Sequence, residues 1–303
     1  VIELQDVHKS FKEVRAVDGI SLRAEEGEIF GLLGPNGAGK STTIKMIMNI
    51  LAPDSGIILF NGKRISESDK DRLGYLPEER GLYRRVTVNE MLLYFAGLKG
   101  RHSREAQKSI DGWLERFGLS DWKKKKCEAL SKGMAQKVQL IACVAHDPEF
   151  ILLDEPFAGL DPVGMDALRE VIVELRAKGK TILLSTHNME VAEKLCSRIL
   201  LIDHGREVIS GAMVEVKARH GRSTVVVEFD GRFDFKTLDF VAGFTRYPRW
   251  VELELREGAD PQALLKALVG QVTVSRFEQA TKSLHAIFVD KLRDADRGER
   301  GST

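Results

Sequence analysis

The residues Gly34-Pro35-Asn36-Gly37-Ala38-Gly39-Lys40-Ser41-Thr42 carry the glycine spacing and the lysine–serine pair of a phosphate-binding loop. Glycines at such spacing let successive backbone N–H groups turn inward around a polyanion. A helix starting at the loop would add unpaired N–H donors and a positive dipole end. Lys40 is then placed to reach the outer phosphates of a nucleoside triphosphate, and the Ser41 hydroxyl to ligate Mg²⁺. A second stretch, FILLDEP at 150–156, is an apolar run that ends in two carboxylates. Asp154 at its tip suits the shell of Mg²⁺, and Glu155 suits a base that polarises an attacking water. A third, LLSTHNM at 183–189, puts His187 just beyond another apolar run.

These groups need strands and helices to hold them. Residues 28–33 read as a strand entering a buried parallel sheet, and 42–51 as the helix after the loop. Two short apolar runs, 150–154 and 181–185, read as further parallel core strands. Residues 1–30 alternate and predict antiparallel strands, with 56–62 adding another and 199–209 a final pair around His204-Gly205. Helical spacing dominates 87–120, through Val88, Met91, Leu92 and Phe95, then Ile110, Trp113, Leu114 and Phe117. Asp161 as N-cap and Pro162 at the first helical position predict a helix that Gly179 ends.

The expected organisation is one large phosphate-loop domain over 1–216, with a mostly helical insertion at about 85–138, then a polar linker at 217–223. Strand-like 224–230, 250–256 and 271–277, with helical 260–268 and 282–293, predict a small accessory α+β domain of ferredoxin-like type over 224–293. Residues 294–303 read as a disordered tail. The fold class is α/β: a phosphate-loop core with a parallel sheet, an N-terminal antiparallel β-subdomain, the helical insertion and the small C-terminal domain.

The chain has 303 residues, 43% of them hydrophobic, and a net charge of +1. That balance gives no sign of a nucleic-acid partner. No apolar run approaches the roughly 20 residues that span a bilayer, and the N-terminal segment lacks a signal core. A cytoplasmic protein is expected. Three scattered cysteines, Cys127, Cys143 and Cys196, show no metal spacing.

Two more motifs complete the set: LSKGMAQKVQ at 130–139 before the acidic strand, and AGLDP at 158–162 after it. In this order the motifs resemble the ATP-binding subunit of ATP-binding-cassette (ABC) transporters, over about residues 1–215. The resemblance implies ATP and Mg²⁺ as ligands and a head-to-tail homodimer with ATP between the phosphate loop of one copy and the signature of the other. It implies Phe11 stacked on adenine, Gly34 to Thr42 around the phosphates, and Ser131 and Gly133 touching the γ-phosphate in the partner's site. Glu155 is implied as the catalytic carboxylate, Asp161 as the residue bridging subunits, and His187 as sensor of the γ-phosphate and water. It also implies a separate integral-membrane permease, docked near the helical insertion at the inner face of the cell membrane.

The sequence departs from the family pattern at three positions. Glu78, in GYLPEERGLY, stands where a glutamine is usual, and can still ligate Mg²⁺. Lys132 and Met134 replace the first glycine and the glutamine of the signature. With the added C-terminal domain, these departures resemble the branch serving ABC-2-type exporters. The rival readings are a soluble ABC ATPase outside transport and a nucleotide-binding regulator without hydrolysis. Neither the paired cassettes nor the long coiled coils of the first are present, and Glu155 and His187 speak against the second.

Overall fold

The computed structural model describes residues 1–78, 81–101, 103–220, 223–256 and 258–291. It divides into two compact units, Val1–Ser210 and Gly211–Thr303.

In the first unit, β1 (Ile2–Phe11), β2 (Val14–Ala24), β4 (Ser55–Phe60) and β5 (Lys63–Arg64) form a four-stranded sheet in the order β2-β1-β4-β5. Its pairs are antiparallel, as the alternation of the first thirty residues predicts. The central sheet has six strands. These are β3 (Ile29–Leu33), β6 (Leu73–Leu76), β7 (Phe150–Asp154), β8 (Thr181–Thr186), β9 (Arg198–Asp203) and β10 (Arg206–Ala212), in the order β10-β9-β3-β8-β7-β6. The β3–β8, β3–β9, β6–β7 and β7–β8 pairs are parallel. Every residue of β3, β7 and β8 is buried, which is what near-continuous apolar runs in a covered parallel sheet require. Their carboxyl ends lie side by side, where open α/β sheets bind ligands.

Helix α1 (Lys40–Ile47) follows β3. It begins two residues before the expected 42, because Gly39 already takes the N-cap position at φ 105°. It ends earlier too, at left-handed Asn49 (φ 50°). Helices α2 (Val88–Leu98), α3 (Ser103–Arg116) and α4 (Lys132–Val144) stand between β6 and β7, as the expected helical insertion. Helix α5 (Pro162–Ala177) has Asp161 as N-cap and Pro162 at its first turn, and α6 (Met189–Leu195) follows β8. Strand β6 falls in a stretch read only as a loop motif. Four residues long, it is identifiable through its pairing with β7, with Leu73 and Leu76 buried.

The second unit corrects the expected linker. Helix α7 (Met213–His220) occupies most of 217–223, with Met213 and Val216 buried and an Arg219–Glu215 ion pair one turn apart. A polar surface on a helix reads as a linker when its two anchoring apolar residues lie upstream. Strands β11 (Ser223–Asp230), β12 (Val241–Arg246), β13 (Trp250–Leu255) and β14 (Thr273–Thr281) form an antiparallel sheet in the order β12-β13-β11-β14, with α8 (Pro261–Leu268) between β13 and β14. Order and direction match a split βαβ sheet. The first crossover helix is missing, and a short 3-10 turn at Phe235–Thr237 takes its place, with Phe235 in the core. Strand β12 escapes sequence reading because it is mostly exposed and contains Gly243. A last helix covers 284–291, and the tail expected at 294–303 lies outside the described residues.

Candidate functional site: a phosphate cradle and a carboxylate pair

The N-terminus of α1 differs from those of α2, α4, α5, α6 and α8. Thr87, Ser131, Asp161, Asn188 and Asp260 each accept a hydrogen bond from the first turn of their helix. Helix α1 has no side-chain cap and no acidic residue in its first turn. Its free N–H groups and dipole are left for an external anion. The glycines before it are sterically required. A Cβ at Gly34 would lie 2.2 Å from the Ile202 carbonyl oxygen, and one at Gly39 2.2 Å from that of Ala16. Both have positive φ, 151° and 105°. The loop is thus clamped between β9 and β2, and Gly205 N–H donates to the Ala38 oxygen at 3.0 Å.

Ala16, Asn36, Gly37, Gly39, Lys40, Ser41, Thr42, Glu78 and Glu155 line an open cavity of about 310 Å³. Lys40 is buried, yet its Nζ donates to the oxygens of Gly34 (2.8 Å) and Pro35 (3.0 Å) and lies 3.4 Å from Glu155 Oε1. An ammonium on neutral carbonyls at a cavity wall can be claimed by a phosphate.

Asp154 and Glu155 follow one another at the tip of β7 with different surroundings. Asp154 is 1% exposed and accepts from the Ser185 hydroxyl. Glu155 has left-handed backbone, φ 47°, a conformation that costs a non-glycine residue about 1 kcal/mol or more. Its N–H donates to the Ser185 carbonyl (3.1 Å) and hydroxyl (3.2 Å). Its Oε2 accepts from Thr186 Oγ1 at 3.2 Å, and its Oε1 lies 2.9 Å from His187 Nδ1. The turn swings the Glu155 carboxylate to the cavity wall beside Lys40. A smaller neighbouring cavity is lined by Glu78, Gln136, Gln139, Asp154 and Glu155, among others. Gln136 of α4 donates to the Pro156 oxygen, tying that helix to the acidic turn.

Nine of the sequence-predicted residues therefore meet: Asn36, Gly37, Gly39, Lys40, Ser41, Thr42, Glu78 and Glu155 on the cavity, with His187 bonded to Glu155. Gly34, Pro35 and Ala38 shape the loop from behind. Ser41, Glu78 and Asp154 offer only oxygen donors, the set that suits Mg²⁺. Among the described residues no three His, Cys, Asp or Glu side chains cluster as a metal site. Mg²⁺ is commonly held by one or two carboxylates together with substrate phosphates, so the donors present fit it.

Four predicted residues lie apart from this cavity. Phe11 ends β1, is 45% exposed and carries Lys9 Nζ 5.7 Å from its ring centroid. Ser131 caps α4, its Oγ accepting from Met134 N–H at 3.3 Å. Asp161 caps α5, accepting from Gly164 N–H at 2.6 Å. Gly133 lies near Leu160, since a Cβ there would be 3.9 Å from Leu160 Cδ2, so the signature and the Asp161 turn are neighbours. Sequence reasoning missed Ser185, Thr186 and Gln136. Their signal is polarity at the tip of an otherwise apolar strand, or on a buried helix face.

Comparison with known proteins agrees with this geometry. The family profile described as ABC transporter matches residues 17–158, and one described as the C-terminal domain of ATP-binding protein DrrA1-3-like matches 211–292. The chain is 39% identical to YhaQ of Bacillus subtilis (strain 168), an uncharacterised ABC transporter ATP-binding protein, over 96% of this chain and 98% of that one. It is 40% identical to Nod factor export ATP-binding protein I of Burkholderia pseudomallei (strain 1710b), over 70% of each chain. A solved structure of the ATP-binding subunit of an ABC transporter superposes with TM-score 0.68 at 32% identity, covering 72% of this chain and 92% of that one. With the phosphate cradle, the carboxylate pair and the parallel sheet behind them, these likenesses show that the chain belongs to the family of ABC transporter ATP-binding proteins.

Proposed function

We propose that the chain is the ATP-hydrolysing subunit of a transporter and that Glu155 is its catalytic base. The observation that carries this reading is the Glu155 carboxylate held at the cavity wall, Oε1 between Lys40 and His187. On ATP binding, Lys40 exchanges its loop carbonyls for the β- and γ-phosphates, and the N–H groups of the loop and of α1 take the remaining phosphate oxygens. Mg²⁺, held by Ser41, Asp154 and Glu78, would neutralise charge on those oxygens. Glu155 Oε1 accepts a proton from the attacking water as the bond to the ADP leaving group breaks. His187, bonded to the same oxygen, orients the water against the γ-phosphate.

The lone copy of each motif supports a head-to-tail homodimer. The cavity lacks Phe11, Ser131 and Asp161, and the latter two cap neighbouring helices elsewhere on the unit. A second copy would bring its Ser131 and Gly133 to the γ-phosphate. Lys132 and Met134 leave that contact intact but change the rest of the signature. An integral-membrane permease would convert closure and reopening into transport. No helix among the described residues is long and apolar enough to cross a membrane, so a separate subunit must supply that path or another segment must. Tyr94 and Leu98 are exposed on α2 of the helical insertion, and exposed Tyr83, just before it, is in ring contact with Tyr94 and Phe95; this surface suits docking to the permease at the cytoplasmic face. Export is the favoured direction, from the C-terminal domain and the likeness to the Nod factor export protein.

Glu155→Gln keeps the shape of the side chain and removes its charge. ATP hydrolysis should fall about 10²–10⁴-fold, the range for a positioned base. ATP affinity should hold or rise, and ATP should trap a dimer visible by gel filtration. Near-normal turnover in this variant would refute the assignment.

A further inference from the structure

The two oxygens of Glu155 are not equivalent. Oε1 faces Lys40 and His187, whereas Oε2 accepts from Thr186 Oγ1. A hydroxyl has one proton to give, and the Thr186 oxygen also accepts from Asn188 N–H at 3.0 Å. That second bond occupies a lone pair and leaves the hydroxyl proton for the carboxylate. Thr186 is 1% exposed at the end of a strand whose preceding residues include Ile182, Leu183 and Leu184. A buried hydroxyl there costs free energy unless bonded, and valine would fill the same space without that cost. Neighbouring Ser185 holds the backbone of the same turn, accepting twice from Glu155 N–H while its hydroxyl is given to Asp154. The strand register pairs Asp154 with Ser185 and Leu33, the residue before the phosphate loop, with Thr186. One strand tip thus sets carboxylate and cradle together.

We propose that Thr186 is a positioning residue that pins Glu155 Oε2, so that Oε1 is the oxygen that takes the proton of the attacking water. The inference rests on the reading of Glu155 as the base. Without the Thr186 hydroxyl, Oε2 loses its donor, and the carboxylate is held only from the Oε1 side, by Lys40 and His187. Its shape and charge remain, but its aim is lost.

Thr186→Val keeps the branched side chain and deletes the donor. Its kcat should fall about tenfold, the scale of one lost hydrogen bond to a charged group. KM and the equilibrium affinity for ATP, measured by calorimetry with and without Mg²⁺, should stay within about twofold, because the bond acts on the transition state and not on binding. Thr186→Ser, which retains the hydroxyl, should recover most of the rate. In a Glu155→Gln background, Thr186→Val should change the residual rate by less than about twofold, since residues acting as one unit are non-additive. If Glu155→Gln is inactive while Thr186→Val turns over like the wild type, the positioning role is wrong and the base stands. If Glu155→Gln itself turns over normally, the base is wrong. If Thr186→Val loses ATP affinity and melting temperature together, and Thr186→Ser does no better, the hydroxyl is part of the fold alone and the proposal fails.

Discussion

Among the described residues each unit buries one lysine, Lys40 and Lys282, and the two are treated differently. Lys40 in the first unit has two neutral carbonyls and one carboxylate that it shares with His187, beside an open cavity. Lys282 in the second unit lies between two carboxylates, Glu254 Oε1 at 2.9 Å and Asp290 Oδ2. Burial alone would lower the Lys282 pKa, but its bonds to Asp290 and Glu254 outweigh that and raise it. A buried cation with full carboxylate partners is spent on holding β13 to the last helix. One resting on backbone carbonyls keeps its attraction for an incoming anion. The difference separates a site from a structural tie more sharply than burial or charge does by itself.

Removing each lysine should therefore give opposite phenotypes, and the larger effect belongs to Lys40. Lys40→Ala deletes charge-assisted bonds to phosphate, each worth about 1.5–3 kcal/mol. ATP affinity should fall by more than about 100-fold, while the unfolding transition changes little, since the loop carbonyls beside the open cavity can take water and Glu155 keeps its contact with His187. Calorimetric titration with ATP decides it. A variant that still binds ATP normally would make Lys40 a structural tie like Lys282.

Lys282→Met keeps most of the stem and removes the ammonium. Breaking a fully buried pair costs about 3–5 kcal/mol, but Glu254 and Asp290 are 33% and 47% exposed and solvent screens them. A loss of about 1–3 kcal/mol is expected, seen in denaturant unfolding followed at Trp250. ATP affinity should not change. The sign of the pH dependence follows from the raised pKa: the contribution is complete below the unfolded value of about 10.4 and fades as pH rises past the higher folded value. If Lys282→Met weakens ATP binding, the separation of the two units by task is wrong.

The same contrast explains what the sequence could convey. Gly34, Gly39 and Lys40 are legible because a polyanion cradle needs those residue types at fixed spacing, and the apolar strands before Asp154 and His187 locate them in a parallel sheet. The left-handed turn at Glu155 is not legible, because a glutamate gives no local hint of φ 47°. Only the pairing of β7 with β8 brings Ser185 and Thr186 to that turn, and pairing is a long-range fact. The same holds for the Lys282 tie, whose partners lie 28 residues before and eight after it in the chain. Strand β12 and helix α7 were hidden for different reasons: β12 is mostly exposed and carries Gly243, and α7 has few apolar anchors among polar residues, so in both the local pattern points to loop.

Phe11 gives the smallest effect and the finest test of the comparison, because the proposed adenine contact is held in the open. Its ring is 45% exposed, and Lys9, itself fixed by Asp54 at 2.7 Å, already covers it at 5.7 Å. Stacking a base on an aromatic is worth about 1–3 kcal/mol, and a half-exposed ring with a cation already over it belongs at the low end. Phe11→Ala should therefore weaken ATP binding about fivefold, against more than 100-fold for Lys40→Ala. Binding of inorganic triphosphate should not change, since that ligand has no base to stack. Thermal stability should fall only modestly, because about half of the ring is open to solvent. If ATP and triphosphate weaken together, Phe11 supports the antiparallel sheet and not adenine. If neither weakens, the base is held by another residue, and the cavity lining, from which Phe11 is absent, already marks the whole nucleotide contact of one chain.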